Sequence, residues 1–457
     1  RRAATTTGVM RAAAVYPLET YRVRAAIARH GIALWRKGLP VQPRPHAEIG
    51  MTSADRLAVL LRRVAGVELP VRLRTWDGSE AGPAAGPVLD ITSRRALRRV
   101  LWAPGELGLA RAYVSGDVEV DGDLTDGMRA VWRMANASGA SAVRLTTAGR
   151  LRAAGLAARL GALGPPPAAP TCEARLRGRL HTRARDRAAI AHHYDLSNEF
   201  YELLLDETMA YSSAYFATSD VALADAQRAK LDLVCTKLGL RGGMRLLDVG
   251  CGWGSLTLHA AERYGAHVTG VTLSEQQRDH VAKQVAERGL ADRVTVCLQD
   301  YREFATTREL FDAVASIEMG EHVGEAHYPV YAGILHGALR PSGRLLLQQM
   351  SRNVDAAPGG GAFIESYIAP DMHMRPLPQT LAHLERAGFE IRDVQAMREH
   401  YVRTVRHWMD TLERHWPEFV ELVGVEVARV WRLYLAGGAL SFEQGRMGVD
   451  QILAARR

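Results

Sequence analysis

The sequence predicts an α/β protein whose larger part is a doubly wound sheet, with a small α+β domain in front of it and helical additions. Two observations support this: a glycine-rich turn follows an apolar strand at residues 246–254, and from about residue 188 strand-like and helix-like segments alternate. The length of 457 residues also exceeds the roughly 250–300 residues that one core supports. We therefore expect a small domain over residues 1–145 and a large one over 188–457.

The small domain contains signals of both strands and helices. Residues 69–78 alternate apolar and polar side chains and end in the turn Asp77-Gly78, which predicts one arm of a hairpin. Residues 102–124 are broken by four glycines and are expected to be rich in turns, and a helix is predicted from Asp126. We expect this domain to bind lipid, substrate or a partner.

An arginine- and proline-rich stretch, residues 146–187, is predicted to link the two domains. From residue 150 onward it contains nine arginines but only two acidic residues, and three prolines at 165–167 divide it. Its first half could lie on an anionic membrane as a basic amphipathic helix. The alternative is an exposed linker whose charges are solvated. The apolar side of the helix would be formed by Leu151, Leu156, Leu160 and Leu163.

The glycine-rich turn is the strongest local signal in the chain. A short apolar run containing an acid, residues 246–249, is followed by glycine at every second position, at Gly250, Gly252 and Gly254. Glycine permits the tight turn and the close backbone approach that a side chain would block. The turn therefore predicts a site where a strand meets a nucleoside.

The segments after the turn complete a βαβ unit, with a helix at 255–264 and a strand at 267–272. A dinucleotide site would favour an acid at the end of this second strand, where the chain has Thr272 instead. The tail from 405 to 455 is expected to be mostly helical. The other predicted strands are 245–249, 294–298, 311–317, 343–350 and 389–395, and the predicted buried anchors of the tail are Trp408, Trp416 and Trp431.

Composition narrows the choice of partners and compartment. The 58 basic residues exceed the 50 acidic ones, so an anionic partner such as nucleic acid or phospholipid is expected. The four cysteines lie far apart without a CxxC pair, which argues against a metal site or a disulfide framework. No run of about 18 apolar residues occurs, and the first residues contain no apolar core of signal-peptide length. We therefore expect a cytoplasmic protein that contacts the inner face of the membrane peripherally.

Several segments outside the glycine turn resemble one enzyme family. They are similar to segments of cyclopropane-fatty-acyl-phospholipid synthases and mycolic acid methyltransferases, and together they cover about residues 190–455. The resemblance implies a class I methyltransferase fold, with a Rossmann-like doubly wound sheet, that uses S-adenosylmethionine (SAM). The matching segments are 193–201, 209–216, 299–302, 316–324 and 416–418, with a less sharp similarity at 100–124.

The resemblance also implies a set of cofactor contacts. Each has a structural alternative, because a threonine can satisfy a strand end, a tyrosine can simply pack and an aspartate can cap a helix. The implied contacts are Tyr211 and Ser212 for the methionine end, Gly250, Gly252 and Gly254 for close backbone passage, Thr272 and Gln277 near the ribose, and Gln299, Asp300 and Tyr301 in the loop on the adenine side.

The implied chemistry requires few polar groups. A cis alkene is a poor nucleophile and a sulfonium is already activated, so methyl transfer mainly requires that both are held together in an apolar slot. The carbocation that forms on the acyl chain must be stabilised by negative charge or aromatic faces and must lose a proton to a base. In the synthases, bicarbonate held by a cysteine, a glutamate, a histidine and a tyrosine is that base.

This chain keeps only part of such a bicarbonate site. Glu321 and Tyr401 match the glutamate and the tyrosine, whereas Ser213 stands at the cysteine position and Gln348 at the histidine position. Glu318 adds a second carboxylate at the carboxyl end of a predicted strand, where open α/β sheets bind ligands. We expect at least one of the two glutamates to be catalytic, Glu321 before Glu318. The alternative is a solvated pair at a strand end.

Three further segments, residues 348–352, 358–361 and 368–376, resemble the methyltransferase subunit of actinobacterial 10-methyl fatty acid synthase. In that branch, an oleoyl chain of an unsaturated phospholipid is methylated, a hydride shift follows, and proton loss leaves an exocyclic methylene. A partner flavoprotein then reduces it. The resemblance implies this reaction and a flavin-dependent reductase partner, with cyclopropane formation as the alternative. We also expect an oligomer.

Two other classes of protein fit the sequence less well. A nucleic-acid methyltransferase would explain the basic charge, but it is expected to carry an Asn/Asp-Pro-Pro-Tyr base pocket or an RNA-binding module. Neither occurs in the sequence, so we expect no nucleic-acid partner. A non-catalytic lipid carrier would be favoured by a degraded glycine turn, and here the turn is intact.

Overall fold

The computed structural model describes residues 51–65, 70–137, 155–174, 182, 185, 197–306 and 310–457. The chain divides into two compact units, Arg1–Thr52 and Ser53–Arg457. Only two residues of the first unit are described, so the architecture is that of the second unit. The domain boundaries predicted near residues 145 and 187 lie outside the described residues and stay a prediction.

The N-terminal part of the second unit contains a four-stranded sheet in the order β2-β1-β3-β4. Leu73 pairs antiparallel with Ala81, which confirms the predicted hairpin arm. The segment 102–124 contains a helix as well as the expected turns. Gly108 lies in this helix and lets it pass close to the preceding helix, since a Cβ at this position would lie 2.8 Å from the carbonyl oxygen of Arg99. The elements are α1 (Ser53–Ala65), β1 (Arg72–Thr75), β2 (Glu80–Ala81), β3 (Val88–Ile91), α2 (Arg95–Trp102), α3 (Glu106–Val114), β4 (Glu119–Asp121) and α4 (Leu124–Ala137).

Two leucines of the arginine-rich stretch belong to the core of this small sheet. Leu160 is buried and Leu156 packs against the same cluster, which includes Leu57 and Leu73. These side chains are therefore not available to a membrane, and the expected amphipathic membrane helix is wrong for this part of the stretch. Leu163 is exposed. Leu151 and the arginines at 175, 177, 179, 183 and 187 lie outside the described residues.

A seven-stranded sheet confirms the predicted doubly wound α/β architecture. Its order is β7-β6-β5-β8-β9-β11-β10, with β11 inserted antiparallel between β9 and β10. All six predicted strands are present. The strands are β5 (Arg245–Val249), β6 (His267–Thr272), β7 (Val294–Leu298), β8 (Phe311–Ile317), β9 (Leu339–Arg352), β10 (Phe389–Ala396) and β11 (Met447–Arg456).

The tail from 405 to 455 is mostly helical, as predicted, but it ends in a strand that was not predicted. Gly445, with φ +66°, ends the helical stretch, and the chain then returns as β11. Val449, Ile452 and Ala454 of this strand are fully buried. The helices of the large sheet region are α5 (Asn198–Leu204), α6 (Leu223–Leu238), α7 (Ser255–Tyr264), α8 (Glu275–Glu287), α9 (Tyr328–Ala338), α10 (Ala362–Tyr367), α11 (Leu377–Arg386), α12 (Arg398–Arg414) and α13 (Trp416–Glu443).

Apolar clusters cover both faces of the large sheet. In β5, Leu246 packs into one cluster, whereas Leu247 and Val249 pack into the other, because successive side chains of a strand point to opposite faces. This burial explains the nearly continuous apolar sequences of the parallel strands. No helix of the described residues is long and apolar enough to cross a membrane.

A third, largely aromatic cluster joins α5, α12 and α13. Trp408 and Trp431 are fully buried in it, as predicted, and Phe200 lies 4.9 Å from Trp431 between ring centroids. Trp416 is only partly buried, with the guanidinium of Arg432 above its ring. The two buried tryptophans therefore anchor the C-terminal helices to the segment that precedes the glycine turn.

Arg429 connects α13 to the small N-terminal sheet region. Its Nε donates to the carbonyl oxygen of Tyr113 at 2.7 Å, and its two amino groups donate to Glu119 at 2.6 Å and to the carbonyl oxygen of Val118 at 3.0 Å. The guanidinium also lies over the ring of Tyr113. Because Arg429 is buried, these are hydrogen bonds that water does not readily replace.

We predict that Arg429→Met lowers the free energy of unfolding by about 2–4 kcal/mol, because two backbone carbonyls and a carboxylate lose a buried cationic donor. Urea denaturation followed by tryptophan fluorescence measures the loss. The matched control is Arg406→Met, which removes a largely exposed ion pair with Glu443 and should cost less than about 1 kcal/mol. Equal losses for the two variants would contradict the role of Arg429.

Candidate active site

A cleft opens at the carboxyl ends of β5, β6 and β8. Strand β5 pairs with β6 on one side and with β8 on the other, so the order of the strands changes direction here. Open α/β sheets bind ligands at this position. The cleft is open to solvent at its mouth, and its lining includes residues from the ends of all three strands, among them Val249, Thr272 and Ile317.

The cleft brings together eight of the ten residues predicted to bind the cofactor. Gly254 and Asp300 are not among its lining residues. Gly254 precedes α7 and packs under the turn, where a Cβ would lie 2.9 Å from Cγ2 of Val281. The predicted residues that line the cleft are Tyr211, Ser212, Gly250, Gly252, Thr272, Gln277, Gln299 and Tyr301.

The three glycines of the turn have positive φ, the left-handed region that favours glycine. A Cβ at Gly250 would lie 2.9 Å from Cγ of Met319, so this position is closed by packing. At Gly252, with φ +55°, a Cβ would have no atom within 4 Å. Since Gly252 also lines the cleft, this open space is where a cofactor can approach the backbone.

Thr272 and Gln277 form a pair at the end of β6. The hydroxyl of Thr272 donates to Oε1 of Gln277 at 2.7 Å. Ser274 caps α8 by accepting from the backbone N–H of Gln277 at 3.3 Å. This arrangement fixes a hydroxyl and an amide at the strand end where a ribose would bind, and it explains why no acid is needed there.

Asp300 does not itself line the cleft, but it lies between Gln299 and Tyr301, which do, and its carboxylate suits the amino group of an adenine bound beside them. Its Oδ1 accepts from the backbone N–H and from Nε of Arg302, at 2.9 and 2.8 Å. Its Oδ2 is buried and has no hydrogen-bond partner among the described residues. A buried acceptor without a donor is costly, and the exocyclic amine of adenine is a donor that would satisfy it. The residues present therefore fit an adenine nucleoside.

Asp248 lies at the end of β5, directly before the glycine turn, and lines the cleft. The hydroxyl of Thr257 donates to its Oδ2 at 2.7 Å. Burial raises the pKa of Asp248 to about 6, so the carboxylate is the main form at neutral pH. An anion at this place can accept a hydrogen bond from the amino group of a bound amino acid.

Glu318 is the glutamate that lines the cleft beside Ile317 and Met319. Its Oε1 accepts from the backbone N–H of Ser213 at 2.8 Å and from Nε2 of Gln348 at 2.9 Å, and its Oε2 accepts from the hydroxyl of Tyr401 at 2.7 Å. Its backbone φ of +50° is rare for a glutamate. Burial raises the pKa of Glu318, while its three donors act in the opposite direction.

Glu321, expected to be the main catalytic glutamate, is fully buried but is not among the residues that line the cleft. Its Oε1 accepts from the backbone N–H of Met350, and its Oε2 has no hydrogen-bond partner among the described residues. Burial, and secondly the nearby Glu318, raise the pKa of Glu321 to about 8. At neutral pH it is therefore mostly protonated.

Three residues of the expected bicarbonate site, Ser213, Gln348 and Tyr401, donate hydrogen bonds to Glu318. Ser213 contributes only its backbone N–H to Glu318, because its hydroxyl donates to the carbonyl oxygen of Ala214. Gln348 is oriented by Gln451 of β11, whose Nε2 donates to Oε1 of Gln348 at 2.9 Å. The three donors come from the loop after α5, from β9 and from α12, which lie far apart in sequence.

Aromatic rings surround this part of the cleft. The hydroxyl of Tyr211 donates to that of Tyr434 at 3.2 Å, and the ring of Tyr211 lies 5.2 Å from that of Trp408. Tyr401 packs edge-on against Trp408. Of these rings Tyr211 lines the cleft, so its π electrons can stabilise a cation there, while the other rings pack around it.

Lys230 lines the cleft but was not predicted from the sequence as a site residue, and it is fully buried and charged. A signal was present, since Lys230 and Gln227 are polar residues three positions apart among the apolar residues of the segment that forms α6. Gln227 donates to the carbonyl oxygens of Ala210 and Ser212. Trp253, Arg302 and His322 also line the cleft and were not predicted.

The fold and the cleft together define a class of enzyme. A seven-stranded sheet with one antiparallel strand near its edge, a glycine turn after β5 and a cleft that fits an adenine nucleoside characterise the class I SAM-dependent methyltransferases.

The chain belongs to the mycolic acid cyclopropane synthetase family, whose model matches residues 181–452. A probable fatty acid methyltransferase of Mycobacterium tuberculosis, Rv3720, is 38% identical over 395 residues, 85% of this chain and 91% of the relative. A probable fatty acid methyltransferase of Pseudomonas putida is 36% identical over 88% of this chain and 95% of its own length. The tuberculostearic acid methyltransferase UfaA1 of M. tuberculosis is 32% identical over 89% and 92%.

Solved structures of the family have the same fold. The cyclopropane synthase MmaA2 of M. tuberculosis has a TM-score of 0.56 and 33% identity, over 61% of this chain and all of that chain. The mycolic acid cyclopropane synthase CmaA1, complexed with S-adenosylhomocysteine (SAH), has a TM-score of 0.55 and 33% identity, over 59% of this chain and 98% of that chain. The enzyme is thus a SAM-dependent methyltransferase of the fatty acid and mycolic acid group.

We predict that Gly252→Val abolishes SAM binding, because a branched side chain would fill the open space at the turn. Isothermal titration calorimetry with SAM measures the loss. The matched control is Gly289→Val, since Gly289 has φ +65°, also has open space at its Cβ position and does not line the cleft. The control carries the same kind of backbone strain and should retain SAM affinity. Unchanged affinity in a folded Gly252→Val protein would disprove the assignment.

Proposed function

We propose that the enzyme methylates the cis double bond of an unsaturated, oleoyl-type phospholipid acyl chain and leaves a 10-methylene branch. The observation that carries this proposal is the carboxylate of Glu318, which lines the cofactor cleft and is held by three hydrogen-bond donors. An acyl alkene offers no acidic proton before methylation, so a base is needed only afterwards. The relatives named as fatty acid methyltransferases support the acyl substrate.

When bound, SAM supplies a methyl group already activated by its sulfonium. The protein has to hold the alkene against that methyl group and exclude water. The apolar and aromatic lining of the cleft around Tyr211, which includes Met209 and Trp253, suits an acyl chain and excludes competing nucleophiles. Methyl transfer to one alkene carbon leaves a cation on its neighbour. The π faces and the negative charge of Glu318 stabilise this cation.

Glu318 is the proton acceptor in this proposal. A hydride shift moves the positive charge to the methylated carbon, and a proton of the new methyl group then passes to the carboxylate, which leaves a C=CH₂ group. Gln348 and Tyr401 keep the carboxylate in place while it accepts the proton, and the proton later leaves to solvent. One positive charge enters with the sulfonium and one leaves as the proton, so the reaction balances.

The product depends on when the cation loses its proton. Ring closure requires that the first cation is deprotonated before the hydride shift, whereas deprotonation after the shift yields an alkene. Ser213 and Gln348, which replace the cysteine and the histidine of the synthases' bicarbonate site, donate to Glu318 in this chain, so we propose that the base acts after the shift.

The product implies further partners. A methylene branch is reduced to a methyl branch by a flavin-dependent reductase, which we propose as the partner enzyme. A phospholipid substrate would be taken from a membrane surface that the basic chain approaches peripherally. The name of the relative UfaA1, a tuberculostearic acid methyltransferase, supports the branched-chain product. An oligomeric enzyme is part of the same proposal.

We predict that Glu318→Gln lowers turnover by about 10²-fold or more while SAM affinity stays within a few fold, because the amide cannot accept the proton. Steady-state assays with an oleoyl phospholipid, together with calorimetry, separate the two effects. Glu321→Gln is the control: at pH 7 the native side chain is mostly protonated, so a neutral amide should change turnover only a few fold. If Glu321→Gln lowered turnover more than Glu318→Gln does, Glu321 would be the catalytic glutamate.

A second variant tests the carboxylate itself. Glu318→Gly removes the side chain but leaves the donors from Ser213, Gln348 and Tyr401, so added formate or bicarbonate can occupy their centre. We expect these anions to restore part of the lost activity in this variant and to leave the unaltered enzyme unaffected. An absence of rescue in a folded, SAM-binding variant would argue that Glu318 has only a structural role.

We predict a methylene-branched chain as the main product from an oleoyl phospholipid without a reductase. Gas chromatography with mass spectrometry of the released fatty acids distinguishes methylene, saturated methyl and cyclopropane chains. The family model and the relative MmaA2 favour cyclopropane formation as the second candidate. A chiefly cyclopropane product would make this second candidate the function.

A further inference from the structure

Among the residues that the structure describes, one buried cation of the cofactor cleft has no carboxylate at ion-pair distance. Lys230 of α6 is 1% exposed and lines the cleft. Its Nζ donates to the hydroxyl of Ser212 at 2.9 Å. Among the described residues, no carboxylate oxygen lies within 4.0 Å of this ammonium group.

An isolated buried ammonium is costly unless an anion joins it. Asp248, Asp206 and Glu318 face Lys230 at longer range and favour its charged form, whereas burial has the larger effect and lowers the pKa of Lys230 to about 8. The ammonium is thus still the main form at neutral pH. A buried ammonium group without a counter-ion is unfavourable. Because Lys230 lies in a ligand cleft, we infer that the ligand carries the anion that pairs with it.

The position of Lys230 is fixed together with the loop that contacts the methionine end of the cofactor. Gln227, three residues earlier on the same helix, donates to the carbonyl oxygens of Ala210 and Ser212, at 3.2 and 2.9 Å. Lys230 holds the hydroxyl of Ser212 in the same loop. One face of α6 therefore fixes the positions of both the loop backbone and the ammonium group of Lys230.

We propose that Lys230 is the counter-ion of the α-carboxylate at the methionine end of SAM. That end carries one carboxylate and one ammonium group. In the described part of the chain the lining of the cleft offers a buried cation, Lys230, and a buried anion, Asp248, that match them in sign. Lys230 donates one proton to Ser212 and has two further N–H groups for the carboxylate. The cleft thereby selects nucleosides that carry an amino acid over those that do not.

The test compares two ligands that differ only in the amino acid. SAH has the complete methionine-derived end, whereas 5′-methylthioadenosine has the same nucleoside and thioether without it. Isothermal titration calorimetry measures both ligands on the unaltered enzyme and on Lys230→Met. We expect SAH affinity to fall by about tenfold to hundredfold, the usual range for a hydrogen bond to a charged group, and methylthioadenosine affinity to stay within about twofold.

The matched control is Lys237→Met on the same helix, because Lys237 is also largely buried but pairs with Asp393 and Gln395 away from the cleft. It should bind both ligands like the unaltered enzyme. If Lys230→Met does not fold, Lys230→Gln keeps a donor for Ser212 while it removes the charge, and the same selective loss is expected.

Equal losses for both ligands would overturn the proposal, because they would mean that Lys230 only shapes the cleft. Unchanged SAH affinity would overturn it as well. The measurement uses no acyl substrate, so it is independent of the proposed methylation of a double bond.

Discussion

A buried carboxylate has to be hydrogen-bonded, and the active site is organised around this requirement at Glu318. Its donors are the backbone N–H of Ser213, the amide of Gln348 and the hydroxyl of Tyr401. Each donor belongs to a different segment, so the carboxylate stays satisfied only when the loop after α5, strand β9 and helix α12 meet. The low dielectric that makes an unpaired carboxylate costly also makes this paired one an effective electrostatic partner for a cation.

The rest of the fold keeps these segments together. Helix α6 holds the loop through Gln227 and Lys230, and β11 orients Gln348 through Gln451. The aromatic cluster around Trp408 fixes α12 against the same loop. The C-terminal helices and the last strand are therefore part of the active site, although only the glycine turn has an obvious nucleoside-binding pattern.

The charges of the cleft also suit its cofactor. Asp248 lines it as an anion and Lys230 as a cation, Glu318 adds a hydrogen-bonded carboxyl group, and Glu321 behind them is mostly neutral at pH 7 because of its raised pKa. The sulfonium of SAM adds a further positive charge, and methyl transfer passes that charge to the substrate. A fixed anion close to this path stabilises both states without reorganisation.

The sequence by itself determined the sheet, the glycine turn and most of the cofactor contacts, because these depend on local periodicity and on backbone freedom at positions such as Gly252. Only the tertiary structure decided which glutamate faces the cleft. Glu318 and Glu321 are three residues apart, and their orientation depends on a rare φ at Glu318 and on Tyr401, 83 residues later. Strand β11 and the burial of Leu160 were missed for the same reason: a segment packs against whatever surface distant parts of the chain bring to it, and no local pattern encodes that surface.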